Sequence, residues 1–264
     1  MGARDVLRNI KLDAPNDIQY RSRMNLFLVL TFLFFTGSLI GWGLEVFWRK
    51  FFSRNNPAHK WINPGFLTGP YLPLYGLSLC LLFVLSMIDV SFIEGAWLRK
   101  LFLFALMAAC ITAVEYVAGL IFITGMHIKL WDYSRNRGNI KGIICPQYSF
   151  YWMVLSALYY FLIHPAILDW LYWFTNHLSF CLVVGYFYGV MTLDLCYTFN
   201  ISAKIREFAR EKEIAVHYEN LKSELCRRNE ELKEKGNFLF AFSAKSPLKE
   251  RMRDIFERLE SQRK

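Results

Sequence analysis

Three acidic side chains lie in stretches where a lipid-facing chain should carry none. Glu115 sits inside the apolar run Leu101 to Met126, which contains no basic residue. At about 1.5 Å per helical residue this run reaches ~39 Å, more than the ~30 Å hydrocarbon core of a bilayer. A carboxylate at that depth costs at least a few kcal/mol unless it is protonated or paired. Acids kept there handle a substrate, an ion or a proton, or make a specific contact between helices. Glu45 lies four residues before Arg49, and Asp194 lies near the end of the last apolar run. For both, hydrogen bonding between helices and snorkelling to the interface are the competing readings.

Helical spacing gives these acids company. Gly37, Gly41 and Glu45 recur every four residues and share a face, and the glycine pair lets a neighbouring backbone come close. Glu45 is therefore expected to face protein. Ala108, Thr112, Ala118 and Gly119 surround Glu115 with small side chains suited to close packing. Asp194 has Tyr197 and Thr198 as helical neighbours, while Gly185 and Gly189 point elsewhere.

Two connecting segments carry the remaining candidates. Asn63 to Gly76 holds three prolines and three glycines, with Asn63, Gly65, Gly69, Pro70 and Tyr75 as candidate site residues. Proline removes amide donors and glycine admits positive φ, so an ordered, turn-rich segment packed against the spans is expected. Trp131 to Gly142 is polar and donor-rich, with Trp131, Asp132, Tyr133, Ser134, Arg135 and Asn139 as candidates. Arg135, Arg137 and Lys141 could meet an anion such as a lipid phosphate, a substrate or the three acids; simple positive-inside charge on a solvated loop is the alternative.

These residues must be positioned by membrane helices. Of 264 residues 55% are hydrophobic and 17% aromatic, and charge is crowded into the termini and a few loops. The expectation is an all-α, polytopic membrane helix bundle of about five transmembrane helices with a cytosolic helical tail. The spans are read at about 24–48, 71–88, 101–126, 147–167 and 178–199. The second is the shortest and contains Pro73, and a re-entrant loop is its alternative. The chain thus divides into a polar segment 1–23, a transmembrane domain 24–200 and a tail 201–264. Seven basic residues fall on one side of this topology and twelve on the other. This places the C-terminus in the cytoplasm of a multi-pass cell-membrane protein.

The tail from Ala203 carries sixteen basic and twelve acidic residues. Ile214, Tyr218, Leu221, Leu225 and Leu232 recur at alternating four- and three-residue steps, as in a short coiled coil or docking helix, ended by Gly236-Asn237. A homo-oligomer through this tail is one expectation. A second helix is read from Ser246 as cap and Pro247, with Leu248, Met252, Ile255 and Leu259 on one face.

Several chemistries lack a motif. The sequence contains no phosphate loop of the Gly-x-x-x-x-Gly-Lys-Ser/Thr type, no Gly-x-Ser-x-Gly and no His-Glu-x-x-His. The five histidines show no ligand spacing and the six cysteines no Cys-x-x-Cys. No metal, cofactor or nucleic acid is expected, and no catalytic residue is assigned.

The order Gly41-Trp42-xx-Glu45, Asn63-x-Gly65-Phe66-Leu67-x-Gly69-Pro70-xx-Pro73-Leu74-Tyr75-Gly76, Glu115, Trp131-Asp132-Tyr133-Ser134 with Asn139 and Gly142, then Ser149, resembles the putative ABC-transporter type IV permease family, the CmpB-like membrane proteins. Pro64 stands where a basic residue is common, and Cys145 to Tyr148 is an unusual approach to the fourth span. The resemblance implies a multi-pass fold and a permease component whose ATPase is a separate subunit. The leading expectation is a transport component in the lipid bilayer, with Glu45, Glu115 and Asp194 in an acidic site under the two loops. The alternatives are a membrane enzyme or lipid-handling protein, with Arg135, Arg137 and Lys141 on a phosphate and Asp132 or Glu115 as acid or base, and a non-catalytic sensor or scaffold.

Overall fold

The computed structural model describes residues 15–53, 56, 59–167, 170, 173, 177, 179–211, 216–231, 242 and 247–261. These form an all-helical bundle with one short parallel ladder. Helix α1 spans Pro15–Phe51, α2 Pro73–Ser86 and α3 Ala96–Leu120, which continues as a π-helical turn, Ile121–Gly125. After β1, Ile128–Lys129, comes α4, Pro146–Leu158, continued by the π-helical Tyr159–Ile163, and then α5, Phe180–Glu211. Strand β2, Val216–His217, leads into α6, Tyr218–Glu231, and α7 covers Leu248–Ser261.

Four stretches are long and apolar enough to cross a membrane: Leu26–Phe51, Ala96–Gly125, Pro146–Ile167 and Phe180–Glu211. Their outward faces carry exposed Leu182, Tyr186 and Leu193 on α5 and Leu101 on α3, apolar surface of the kind a membrane helix presents to lipid or to a neighbouring subunit. Helix α2 has 14 residues, about 21 Å, and falls short of the ~30 Å core by itself. The irregular segment before it is buried within protein, with Asn63 1% and Leu67 2% exposed, the one setting in which non-helical backbone is tolerated at membrane depth.

Helices α1 and α2 pack backbone to backbone, as the glycine spacing predicts. Gly37 lies so close to Gly76 that a side chain at position 37 would come within 3.1 Å of the Gly76 Cα, and one at position 76 within 2.6 Å of the Phe34 carbonyl oxygen. Gly41 makes room for the Tyr75 ring. Gly185 and Gly189 meet nothing within 4 Å.

Element ends differ from the sequence reading for physical reasons. Helix α3 begins at Ala96, five residues before the apolar run, directly after Gly95, whose φ of +93° is not helical, and the Lys100 ammonium in its second turn lies 5.1 Å from the Phe161 ring centroid. In α4 the ladder widens to a π turn just before Pro165, whose missing amide and bulky ring disturb the preceding turn, and the helix then continues to Ile167. Helix α5 passes residue 200, where the composition changes, without interruption.

The tail folds back on the bundle. β2 pairs in parallel with β1, and Tyr218, Leu221 and Leu225 of α6 share one buried cluster with Phe66, Leu67 and Ile128. Met252 and Ile255 of α7 join it, packed with Phe208 of α5. In this packing the apolar stripe of α6 covers the 63–72 segment within the same chain, as the docking-helix alternative of the sequence reading expects. Ile214, Leu232, Gly236, Asn237 and Ser246 lie outside the described residues.

Candidate functional site

Each connecting segment is organised by its own polar side chains. In the first, the Asn63 side-chain oxygen accepts from Trp42 Nε1 at 2.8 Å and its amide donates to the Thr68 carbonyl at 2.7 Å, closing a turn that Gly65 enters at φ +77°. Asp194 of α5 receives the Gly69 amide at 2.7 Å, the Thr68 amide at 3.0 Å, the Tyr71 hydroxyl at 2.7 Å and the Thr198 hydroxyl at 3.0 Å. Four donors on one carboxylate make Asp194 the anchor of this segment. Pro70 follows at the exposed outer edge.

In the second segment Asp132 accepts from the amide and hydroxyl of Ser134 and pairs with Lys129 at 3.6 Å. Burial works the other way, but the Ser134 hydrogen bonds and the charges of Lys129 and His217 hold its carboxyl below the usual range. Asn139 donates to the Asn136 carbonyl at 2.8 Å and accepts the Gly142 amide at 3.0 Å, and Trp131 Nε1 donates to the Ile143 carbonyl at 2.8 Å. This frame holds Tyr133 stacked on Tyr148, ring centroids 4.2 Å apart, with its hydroxyl aimed at the bundle. Burial first and Glu115 next hold the Tyr133 phenol far above its ordinary value, so it donates throughout the physiological range.

Between the segments lies a cavity of about 290 Å³. Glu45, Arg49, Tyr75, Glu115, Tyr133 and Trp152 supply its polar groups, and the first segment supplies an apolar wall from Gly65 to Leu67. Glu45 accepts from Arg49 Nε and from the Tyr75 hydroxyl, both at 2.8 Å. Glu115, 4% exposed, accepts from the Tyr133 hydroxyl at 3.0 Å and from Trp152 Nε1 at 3.1 Å. Among the described residues no basic side chain forms an ion pair with Glu115.

The structure thus brings Glu45, Glu115, Gly65, Tyr75, Trp131 and Tyr133 to one cavity. Asp194 is not among its lining residues; its carboxylate is turned to the far side of the first segment, where the backbone amides are. Ser149 sits apart as well, accepting from Thr112 at 3.1 Å where α3 meets α4. The basic residues of the second segment are not among its lining residues either. Arg135, Arg137 and Lys141 are exposed, Arg135 beside a surface hollow with Asp132, and the base paired with an acid of the cavity is Arg49, one turn along α1 from Glu45.

Sequence reasoning missed the tail's part. Arg49 also pairs with Glu219 of α6. Lys222, 3% exposed, points its ammonium at the carbonyls of Gly65 at 3.0 Å and of Asn63 and Leu67 at 3.5 Å, and the Tyr218 hydroxyl donates to the Phe66 carbonyl at 3.1 Å. Burial, then the neighbouring Arg49 charge, lower the Lys222 ammonium to about 7. A lysine on the same stripe as Tyr218, Leu221 and Leu225 was the available signal.

A helical bundle with four stretches long and apolar enough to cross a membrane, a shorter apolar helix and two ordered segments folded against a cavity has the architecture of a membrane-embedded protein. The family described as "Putative ABC-transporter type IV" matches residues 32–199, and the chain belongs to it. All of the motif positions from Gly41 to Ser149 lie inside that match. No curated protein and no solved structure matches the chain.

Proposed function

We propose that the chain is the membrane component of a transporter, with the Glu45–Glu115 cavity as its substrate or ion site and ATP hydrolysis, where needed, on a separate subunit. The observation that supports this reading is a cavity lined by two carboxylates and aromatic side chains, to which both motif segments contribute. A purely structural acid has no need of such a space. In this reading residues 24–200 are the membrane unit of the cell membrane and 201–264 its cytoplasmic tail, in keeping with the twelve basic residues on that side.

Ala118 lines the cavity and offers a test by accessibility. In a cysteine-free background in sealed vesicles, Ala118→Cys should react with a membrane-impermeant thiol reagent from one face at rest and from the other when the cavity turns over. Protection from both faces under all conditions refutes the reading.

A further inference from the structure

The cavity's charge and surface define what it can hold. Its lining carries two carboxylates and one guanidinium among the described residues, and that guanidinium is held by Glu45 on one side and Glu219 on the other. Glu115 receives only neutral donors, Tyr133 and Trp152. A buried carboxylate in that state either takes up a proton or is balanced by a positive charge from outside the fold, and a cationic ligand supplies the latter. An anion finds no unengaged cation here, whereas a cation finds Glu115 together with aromatic rings: Tyr75 and Trp152 lie 5.8 Å apart and both border the space. The rest of the wall, Phe66, Leu72 and Phe122 among it, is apolar. At about 30 Å³ per water-sized group the volume holds on the order of ten non-hydrogen atoms.

We infer that the ligand of this cavity is a small organic cation, an ammonium with an apolar body, whose charge faces Glu115 and whose body lies against the aromatic wall. The inference rests on the transport reading and adds the chemical class. A metal ion does not suit the site, since two carboxylates already hydrogen-bonded to neutral donors and to Arg49 leave a hard cation few oxygens.

The test uses the full chain in nanodiscs of zwitterionic lipid, with empty nanodiscs subtracted, and three matched probes: 2-phenylethylammonium, 2-phenylethanol and phenylacetate. Equilibrium dialysis at pH 7 should show saturable binding of the ammonium at least tenfold tighter than the other two. In Glu115→Gln that preference should collapse to about one. The probe series on the unaltered protein decides the matter even if the variant fails to fold. Equal binding of all three, tighter binding of phenylacetate, or no binding of the ammonium overturns the inference. Labelling of Ala118→Cys from both faces alongside any of those results would leave the transport reading standing, so the two fail separately.

Discussion

Lys222→Met is the most informative perturbation, because two large effects oppose each other and only their pH dependence separates them. The ammonium loses one good hydrogen bond, to Gly65 at 3.0 Å, and two long ones to Asn63 and Leu67 at 3.5 Å. At ~1.5–3 kcal/mol for a bond to a charged group, plus ~1–3 kcal/mol for a buried carbonyl left unpartnered, the loss is about 4 kcal/mol. Against this, lowering an ammonium from 10.5 to about 7 marks a burial penalty of about 5 kcal/mol, which methionine escapes. Near pH 7 the two nearly cancel. The sign with pH does not. The docked lysine has the lower pKa and so binds fewer protons than the undocked one. Docking is therefore flat below about 7 and strengthens by about 1.4 kcal/mol per pH unit from there toward 10.5. The groups facing Lys222 are Arg49 of α1, which adds to the lowering, Asp194 of α5 and Cys226 of its own helix, which oppose it, and the Tyr218 ring. Spin labels at exposed Asn220 and Arg137, followed through a urea titration, report release of the tail from the bundle. The wild-type midpoint should rise between pH 7 and 9, equivalent to about 3 kcal/mol, and the Lys222→Met midpoint should stay level. A wild-type midpoint that is level or falls over that range refutes the burial argument.

Other substitutions test separate joints. Asp194→Asn removes one oxygen's worth of acceptor from the Thr68 and Gly69 amides and should destabilise the protein by about 3 kcal/mol, with the 63–72 amides losing hydrogen-exchange protection before the rest of the bundle. Gly76→Ala places a methyl 2.6 Å from the Phe34 carbonyl oxygen; a loss of about 1–3 kcal/mol in thermal unfolding is expected, against near-neutrality for Gly185→Ala, which meets nothing. Arg49→Gln leaves Glu45 and Glu219 without their shared partner. It should loosen tail docking by about 1–3 kcal/mol in the spin-label assay, and equal docking in the variant would remove Arg49 from the link between cavity and tail.

What could be read from residue order alone was whatever is local. The Gly37–Gly41–Glu45 period gives the face of α1 that a neighbouring backbone approaches, since spacing along one helix fixes a face, though not that the neighbour is α2, and the proline and glycine content of 63–76 gives irregular, packed backbone over 63–72. Partners far apart in the chain were not accessible in that way. Nothing near Glu115 in sequence points to Trp152, 37 residues on, and nothing near Asn63 points to Lys222. The basic residues of 129–141 looked like partners for the acids because they are numerous and close in topology. The short, folded-in geometry of that segment turns Tyr133 inward instead and leaves Arg135 and Arg137 to solvent. Charge count along a loop says which side it lies on and says little about which side chain reaches back.

The segment from Asn63 to Leu72 is a wall with two supports. On one side Asp194 holds the Thr68 and Gly69 amides; on the other Lys222 and Tyr218 hold the carbonyls of Gly65 and Phe66. Gly65, Phe66 and Leu67 are also the cavity wall. A displacement of α6 therefore changes the shape of the space around Glu115, and a ligand that moves this wall must work against α6. Arg49 adds a second tie, from Glu45 in the cavity to Glu219 on the same helix. Two independent ties between one helix and one cavity make the linkage reciprocal: whatever ligand tightens the cavity should tighten the tail by the same free energy. The spin-label midpoint measured with and without 2-phenylethylammonium would show this as a rise, and a midpoint unmoved by a saturating ligand would mean that the wall shifts without either tie responding.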